Sequence, residues 1–496
     1  MNGHGKSDGC IVPAKLANNA VQAAAELVEE RRPAEGNTID PTRSGRRAGQ
    51  DVPSGLDRVR QAAQKDRNVR FTALLHHVDL ALLLGSYEAI RPTAAPGVDG
   101  VTWEEYGEHL KENLENLLAR VHSGAYRAKP SRRAYIPKAD GNKRPLGIAA
   151  LEDKIVQRAV VEVLNAIYEV DFLGFSYGFR PGRKPHDALD ALATGIIRKK
   201  VNWVLDADIS DFFSKLDQAW LMKFLEHRIA DERILRLIGK WLAAGVVEDG
   251  KWSETPLGSP QGASASPLLA NVYLHYVFDR WVRQWRHRHA HGDMIVVRFA
   301  DDFVVGFEHV RDATQFLSDL RERFSKFGLA LHPDKTRLIE FGRYAARNRA
   351  ARGLGKPETF DFLGFTHICA KGKNGGFWIR RITISKRMQA KLKVLNVELK
   401  RRRHEPIDLQ GHWLASVVQG HLNYYAVPGN IGAVEAFRTQ ATRHWFKALR
   451  RRSQKNRLSW VRMERLATRW LPPARTVHPF PEVRFVANTR GRSPVR

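Results

Sequence analysis

The stretch VRFADDFVVGF, residues 297–307, places two adjacent aspartates, Asp301 and Asp302, between two apolar runs. MIVVRF and FVVGF have the composition of strands, so the stretch predicts a β-hairpin with both carboxylates at its tip. An isolated Asp-Asp pair is usually turn chemistry, because aspartate accepts hydrogen bonds from nearby backbone N–H groups. The context along the chain therefore decides whether this pair forms a site.

A second strand ends in carboxylates in the stretch VNWVLDADISDFF, residues 201–213. Alternation along this strand places Asp206 and Asp208 on the same side. If it neighbours the hairpin, a third carboxylate joins Asp301 and Asp302. Three close carboxylates repel one another unless a cation neutralises them, and Mg²⁺ prefers such oxygen ligands. Two such ions can activate an attacking oxygen and stabilise a leaving one, so the pattern is typical of phosphoryl transfer.

Composition points to a nucleic-acid partner. The 496 residues predict two or three domains, and 81 Lys and Arg against 53 Asp and Glu leave a net charge of +28. Such a surface attracts polyanions, although a merely solvated, highly charged surface is the alternative. The two cysteines, Cys10 and Cys369, exclude a disulfide framework. With no apolar run of membrane-spanning length and no signal layout, the sequence predicts a cytoplasmic or nucleoid-associated protein without a membrane partner.

The chain divides by composition. Residues 1–55 lack a sustained apolar period and predict a disordered extension. AYIPKADGNKRPLGI predicts a hairpin carrying Lys143 and Arg144, which is either a phosphate grip or a solvated edge hairpin. TPLGSPQGASASPLL contains Gln261 and Gly262 in a loop that opens a helix and can lay backbone N–H groups against a ligand.

From about Lys371 the chain becomes strongly basic in a helical pattern. These helices predict an RNA or DNA surface, and a solvated helix face is the alternative. The predicted RNA-binding residues form two clusters, Lys400, Arg401, Arg402 and Arg403, and Arg450, Arg451 and Arg452.

This ordered set of motifs resembles the reverse transcriptase family, and most closely the group II intron-encoded reverse transcriptases or maturases, over about residues 90–430. The resemblance is carried by KRPLGI, FSYGFRPGRKPHDAL, DADISDFF, TPLGSPQGASASPLLANVYL, FADD, GLALHPDKT, FDFLGF and GHLNYY. It implies an α+β right-hand polymerase, with fingers and an antiparallel palm over 56–370, an all-α thumb or maturase domain over 371–470, and a basic tail over 471–496.

The resemblance also implies roles for single residues. Asp208, Asp301 and Asp302 match the ligands of two catalytic Mg²⁺ ions, with Mn²⁺ as an alternative metal. Phe213 falls at the steric gate, where a ring would collide with a ribose 2′-OH. The remaining residues implied to contact the nucleotide are Lys143, Arg144, Gln261, Gly262 and Lys335.

Several positions depart from the family pattern. Phe299 stands where Tyr is commoner, Asp211 where Gly is usual, and Ser214 where Asp is usual. The HNH-type endonuclease of many relatives needs a His and Cys cluster that this sequence does not contain. The alternating His287, His289 and His291 predict a solvated loop rather than a metal site.

The resulting expectation is an RNA-directed DNA polymerase that also acts as a maturase. Its expected partners are a group II intron RNA, an RNA template with a DNA primer, deoxynucleoside triphosphates and a DNA target. The alternatives are a domesticated reverse transcriptase from a diversity-generating, CRISPR-linked or defence system, and a non-catalytic RNA-binding splicing factor. The intact Asp208, Asp301 and Asp302 favour the enzyme over the pure binder.

Overall fold

A computed structural model describes residues 55–137, 143–248, 250–254, 257–258, 263–372, 374–453 and 458–488. The predicted N-terminal extension lies almost wholly outside these residues. The strands are β1 Ser131–Pro137, β2 Lys143–Ile148, β3 Trp203–Ala207, β4 Val246–Glu248, β5 Lys251–Ser253, β6 Met294–Phe299, β7 Asp302–Phe307, β8 Arg337–Glu340, β9 Phe360–Phe362, β10 Phe365–Lys371 and β11 Phe377–Thr383.

The helices alternate with these strands in the first part of the chain and succeed one another after Thr383. They are α1 Gly55–Lys65, α2 Leu80–Glu88, α3 Trp103–Glu108, α4 Leu110–Ser123, α5 Leu151–Asp171, α6 Pro185–Arg198, α7 Phe212–Lys215, α8 Gln218–Glu226, α9 Glu232–Ala243, α10 Ser266–Leu274, α11 Arg280–His289, α12 Val310–Ser325, α13 Ala345–Ala351, α14 Ser385–Arg401, α15 Ile407–Tyr425, α16 Ile431–Arg450, α17 Trp460–Trp470 and α18 Pro481–Asn488. A π-helical turn, His275–Asp279, joins α10 to α11. No helix among these is long and apolar enough to cross a bilayer.

The central sheet has the order β6-β7-β3-β8, with antiparallel neighbours throughout. The β6–β7 hairpin follows from its sequence, because two apolar β-branched runs flank a short turn. Successive residues face opposite sides: Val296 packs into the core formed with α10 and α12, whereas Val297 packs into the core formed with α6. Both faces are therefore covered, which explains why these strands are apolar at nearly every position.

Two smaller sheets flank the central one. The predicted hairpin of β1 and β2 is present and extends through β4 to β5, a short pair that sequence analysis does not predict. The other sheet has the order β11-β10-β9 and shares a core with the α6 side of the central sheet. Since β11 ends at Thr383, the helical part begins later than the predicted boundary at residue 371.

The helices from α14 to α17 enclose their own core. Trp445 lies at its centre and is fully buried, and its indole N–H donates to Oε1 of buried Gln410 at 2.9 Å. This all-α unit agrees with the basic helical segment predicted after Lys371. The hydrogen bond gives the buried indole N–H the partner that burial requires.

The last segment returns to the first part of the chain, where sequence analysis predicts only a basic tail. Phe485 of α18 is buried in the core beside α6. Arg484 and Arg381 both bind buried Asp190 of α6, at 3.1 Å and 2.9 Å. The described residues of this segment thus pack against α6, because Phe485 and Arg484 find partners far away in sequence.

Candidate active site

Two carboxylates, one in β3 and one just after it, face two cations, one in β8 and one just before it. Asp206 pairs directly with Arg337 across the two strands, and their side chains lie 3.4 Å apart. Asp208 lies two residues after Asp206 and Lys335 two residues before Arg337, and Lys335 Nζ contacts Asp208 Oδ2 at 2.5 Å. The period of two thus places both aspartates on one face, as predicted, and each has a cation opposite it.

The hairpin tip presents the other two carboxylates. Phe299 pairs with Asp302, the first residue of β7, so Ala300 and Asp301 form the turn. Ala300 has φ of +59°, a left-handed conformation that is costly for alanine. The turn is therefore held by its surroundings rather than by local preference.

Electrostatics shows that the three carboxylates form one cluster. Asp302 reaches solvent, yet the pKa of its carboxyl is raised to about 7, chiefly because the surrounding chain removes water from it. The negative charges of Asp301 and Asp208 and a hydrogen bond to Asp208 contribute to the same rise. Conversely, the hydrogen bond from Lys335 to Asp208 raises the pKa of the lysine, with smaller contributions from Asp302 and Asp301. Each group therefore responds to the others.

The donor set fits a divalent metal chemically. Among the described residues, no three His, Cys, Asp or Glu side chains stand ready-arranged as a metal site. Instead, the Lys335 ammonium lies against Asp208, while Asp302 carries unfavourable repulsion from its neighbours. Carboxylate oxygens are the ligands that Mg²⁺ and Mn²⁺ prefer, and a cation there would relieve this repulsion. The residues that could hold it are Asp208, Asp301 and Asp302.

Phe213 lies five residues after Asp208, in the short helix α7. It is partly buried and packs edge-on against Phe212 at a ring distance of 5.4 Å. Asp211, immediately before this helix, has φ of +48°. That backbone conformation explains why glycine is usual here in the family pattern, and aspartate is among the few other residues that tolerate it.

For four of the predicted nucleotide contacts, the structure does not describe the side chain. Lys143 and Arg144 begin β2, where they pair with Pro137 and Ile136, but their side chains lie outside the described part of the structure. Gln261 and Gly262 lie outside the described residues altogether. Their assignments therefore stay predictions.

The histidine triplet does not form the predicted loop. His287 and His289 belong to helix α11, and His291 follows it. The His291 ring lies 2.9 Å from Asp312, whose carboxylate also accepts from the His291 backbone N–H. This pairing anchors the start of β6 to α12, so His291 has a structural partner.

The two basic clusters meet at one end of the helical part. Nε of Arg452 donates to the Arg403 carbonyl at 2.5 Å, and the same guanidinium contacts the Glu405 carbonyl. Arg402 pairs with Glu398 and Glu405 at 2.7 Å and 3.0 Å. These contacts connect the α14–α15 turn to the end of α16.

The two clusters are thus one surface, which we term the basic end: Lys400, Arg401, Arg402, Arg403, Arg450, Arg451 and Arg452. Its members differ in exposure. Lys400, Arg401, Arg450 and Arg451 are exposed, whereas Arg402, Arg403 and Arg452 are half-buried. The half-buried members hold the end together, and the exposed members are the ones that could reach a partner.

Sequence analysis misses one residue within its own opening stretch. Arg298, two residues before the tip, is fully buried and binds Asp279 through both carboxylate oxygens at 2.7 Å and 2.6 Å. The available signal is an arginine inside an otherwise apolar strand, since a buried charge needs a partner.

Comparison with known proteins agrees with this geometry. Residues 136–367 match the family model for reverse transcriptase (RNA-dependent DNA polymerase), a range that includes all three clustered carboxylates. Over this range the chain is therefore similar to reverse transcriptases.

Several curated proteins are similar to part of the chain. The chain is 37% identical over 240 residues to Protein YkfC of Escherichia coli, which covers 42% of the chain and 62% of that protein. It is 32% identical over 233 residues to the group II intron-encoded protein LtrA of Lactococcus lactis, which covers 46% of the chain and 38% of that protein. An uncharacterized 91 kDa protein in the cob intron of Schizosaccharomyces pombe is 34% identical over 210 residues, which covers 42% of the chain and 25% of that protein.

These similarities confirm the resemblance predicted from the sequence, which is to the group II intron-encoded reverse transcriptases and maturases. The matched segments span less than two thirds of the length of each of these relatives.

Proposed function

We propose that the protein is an RNA-directed DNA polymerase of a group II intron. The observation that carries this proposal is the convergence of Asp208, Asp301 and Asp302, from two separate segments, beside Lys335. In the proposed reaction the primer 3′-oxygen bonds to the α-phosphorus of a deoxynucleoside triphosphate, and the bond to pyrophosphate breaks. Two Mg²⁺ ions held by the three carboxylates would activate the attacking oxygen and stabilise the leaving one.

The protein's own residues supply binding and selection in this proposal. Lys335 places a positive charge beside the carboxylates, where nucleotide phosphates would lie. Lys143 and Arg144 grip the triphosphate from the β1–β2 hairpin, and Gln261 and Gly262 contact the nucleotide. The ring of Phe213 excludes a ribose 2′-OH and so selects deoxynucleotides.

The domain assignment is part of the same proposal. The fingers and palm extend over 56–370, and the thumb or maturase domain begins with the basic helices. An RNA template with its DNA primer would lie between them, with a DNA target as a further substrate. The central antiparallel sheet followed by an all-α unit supports this arrangement.

Primer extension on an RNA template tests the reaction. With Mg²⁺ and deoxynucleotides, the parent should extend a DNA primer, and chelation should stop it. Asp208→Asn and Asp301→Asn should each lower the rate about a thousandfold, since each removes several kcal/mol of charge stabilisation. Asp206→Asn is the matched control, because Asp206 lies on the same strand but pairs with Arg337. It should retain activity to within about tenfold.

The outcomes separate the proposal from its alternatives. Extension that survives in Asp301→Asn would refute the assignment of the site. A folded parent that binds structured RNA but extends no primer would instead indicate the non-catalytic RNA-binding splicing factor.

We infer a second role, binding of a group II intron RNA to assist its splicing. The joining of two basic clusters into one basic end favours it, because four exposed cations there can contact phosphates together. Intron splicing measured with and without the protein tests this role. No acceleration at saturating protein would contradict it.

A further inference from the structure

Arg298 uses every hydrogen-bond donor that it has. Its guanidinium carries five N–H groups. Nε and Nη2 donate to the two oxygens of Asp279 at 2.7 Å and 2.6 Å, and Nη2 also donates to Ser176 Oγ at 2.7 Å. Nη1 donates to Asn271 Oδ1 at 3.0 Å and to the Ala300 carbonyl at 2.9 Å. The side chain has no exposed surface, and its hydrogen-bond partners fix its orientation completely.

The π-helical turn aligns two of these partners. Asn271 and Asp279 are eight residues apart, so in a regular α-helix their side chains would point about 80° apart. A π-turn accommodates one extra residue, which leaves them about 20° apart. His275–Asp279 is such a turn, and both side chains reach the same guanidinium. The irregularity in this helix is therefore what allows Arg298 to be fully bound.

The remaining bond reaches the hairpin tip. The Ala300 carbonyl that accepts from Arg298 belongs to the left-handed residue directly before Asp301. The backbone of Arg298 is also held, since its N–H donates to Phe175 and its carbonyl accepts from Tyr177, both at 2.8 Å. On this side the chain comes so close that a methyl group at Gly178 would meet the Ala300 backbone nitrogen.

We propose that Arg298 is a positioning residue for the metal-binding tip. By holding the Ala300 carbonyl, it keeps the turn in its left-handed conformation and so directs the Asp301 and Asp302 carboxylates toward Asp208. This inference rests on the proposed metal site. A purely stabilising role would not require the arginine, because a buried ion pair can be replaced by apolar side chains without loss of stability.

Two variants separate positioning from folding. Arg298→Met with Asp279→Leu removes both buried charges together, so no carboxylate is left unpaired, but the Ala300 carbonyl loses its donor. Arg298→Lys keeps a charge for Asp279, yet its ammonium offers donors from a single point and cannot bridge to Ala300 as well.

A matched control uses another buried pair. Buried Arg228 lies 3.4 Å from Asp171, whose side chain is 10% exposed, and neither residue contacts the tip. The variant Arg228→Met with Asp171→Leu therefore makes the same chemical change elsewhere.

The measurement is Mn²⁺ affinity by electron paramagnetic resonance, on full-length protein whose folding is checked by thermal melting. Asp301→Asn provides the reference for loss of the site. Both Arg298 variants should melt cooperatively. They should bind Mn²⁺ about 10- to 100-fold more weakly than the parent, because replacing a residue that supports metal ligands typically lowers metal affinity by this factor. The control pair should stay within about twofold of the parent, because distant sites act independently.

Unchanged Mn²⁺ affinity in a folded Arg298 variant would overturn the inference. So would failure of both variants to fold, since Arg298 would then be a folding residue. If Mn²⁺ binding in the parent survives Asp301→Asn, the metal site is wrong and the inference falls with it. A parent that binds Mn²⁺ but makes no DNA would refute the proposed polymerase, while weaker binding in the variants would still support positioning.

Discussion

The hairpin tip and the basic end hold their charges in opposite ways. At the tip, single contacts hold single groups: an ion pair joins Asp208 to Lys335, and a buried hydrogen bond from Arg298 holds the turn before Asp301. At the basic end, seven cations crowd the ends of two helices, and four of them are exposed. We infer that metal binding at the tip depends on each individual residue, whereas RNA binding at the basic end depends on the total charge.

Arginines behave differently in the two regions as well. Arg298 is fully buried and holds a carbonyl at the tip, whereas Arg452 is half-buried and holds the carbonyls of Arg403 and Glu405. Near Arg452, the amide of Gln410 donates to the same carbonyls at 3.1 Å and 3.3 Å. The basic end therefore has a second donor, and the Ala300 carbonyl has only Arg298 among the described contacts.

The largest effect on stability is expected from Gly178→Ala, which would displace the backbone of the hairpin tip. Its new methyl group would meet the Ala300 nitrogen and lie 2.9 Å from the Phe299 carbonyl carbon, both rigid backbone. We expect the free energy of unfolding to fall by about 3 kcal/mol in urea titrations.

Gly239→Ala is the matched control for this change. Gly239 lies within helix α9, with open space around its hydrogen. Replacement there should stabilise the protein by about 0.5–1 kcal/mol. Equal effects at both glycines would mean that the tip has room to adjust.

A smaller effect is expected from Phe213→Val, which should weaken selection against ribonucleotides. The ring lies in a short helix, five residues after Asp208, and a smaller side chain would leave space for a 2′-OH. Loss of such a steric contact corresponds to about 1–3 kcal/mol, or roughly 10- to 200-fold in discrimination. Single-nucleotide incorporation kinetics measure this ratio. An unchanged ratio would show that another residue selects the sugar.

Much of the tip is predictable from the sequence. Apolar runs define β6 and β7, alternation defines β3, and the short ADD turn limits where Asp301 and Asp302 can lie. The period of two places Asp208 beside Asp206 without any structure. These features are local, because they depend on spacing along one or two strands.

What sequence analysis misses depends on contacts between distant segments. Arg298 becomes understandable only when Asp279, nineteen residues earlier, appears beside it through a π-turn that no simple period predicts. Phe485 packs beside α6 although the composition around it suggests a tail. Charge density indicates the basic end, yet nothing in the sequence separates exposed Arg451 from half-buried Arg452.

Arg452→Ala and Arg451→Ala should separate structure from binding within the basic end. Loss of Arg452 leaves two carbonyls with fewer donors, so unfolding free energy should fall by about 1 kcal/mol. Arg451 is exposed, and its loss should change stability by less than about 0.5 kcal/mol. Urea titration of the two variants checks this difference. A larger loss for Arg451→Ala would reverse the assignment.

The smallest effect is expected from removing exposed charge at the basic end. Arg450→Gln with Arg451→Gln should weaken binding to a structured intron RNA and lower the log–log slope of affinity against salt. If both residues contact phosphates, the slope should fall by about 1.5, because each contact contributes roughly 0.7–0.9. Arg347→Gln with Lys356→Gln is the control, since it removes two exposed cations elsewhere. Equal slopes for both variants would mean that overall charge, rather than the basic end, attracts RNA. Primer extension at saturating template should survive in both, because neither change touches Asp208 or the hairpin tip.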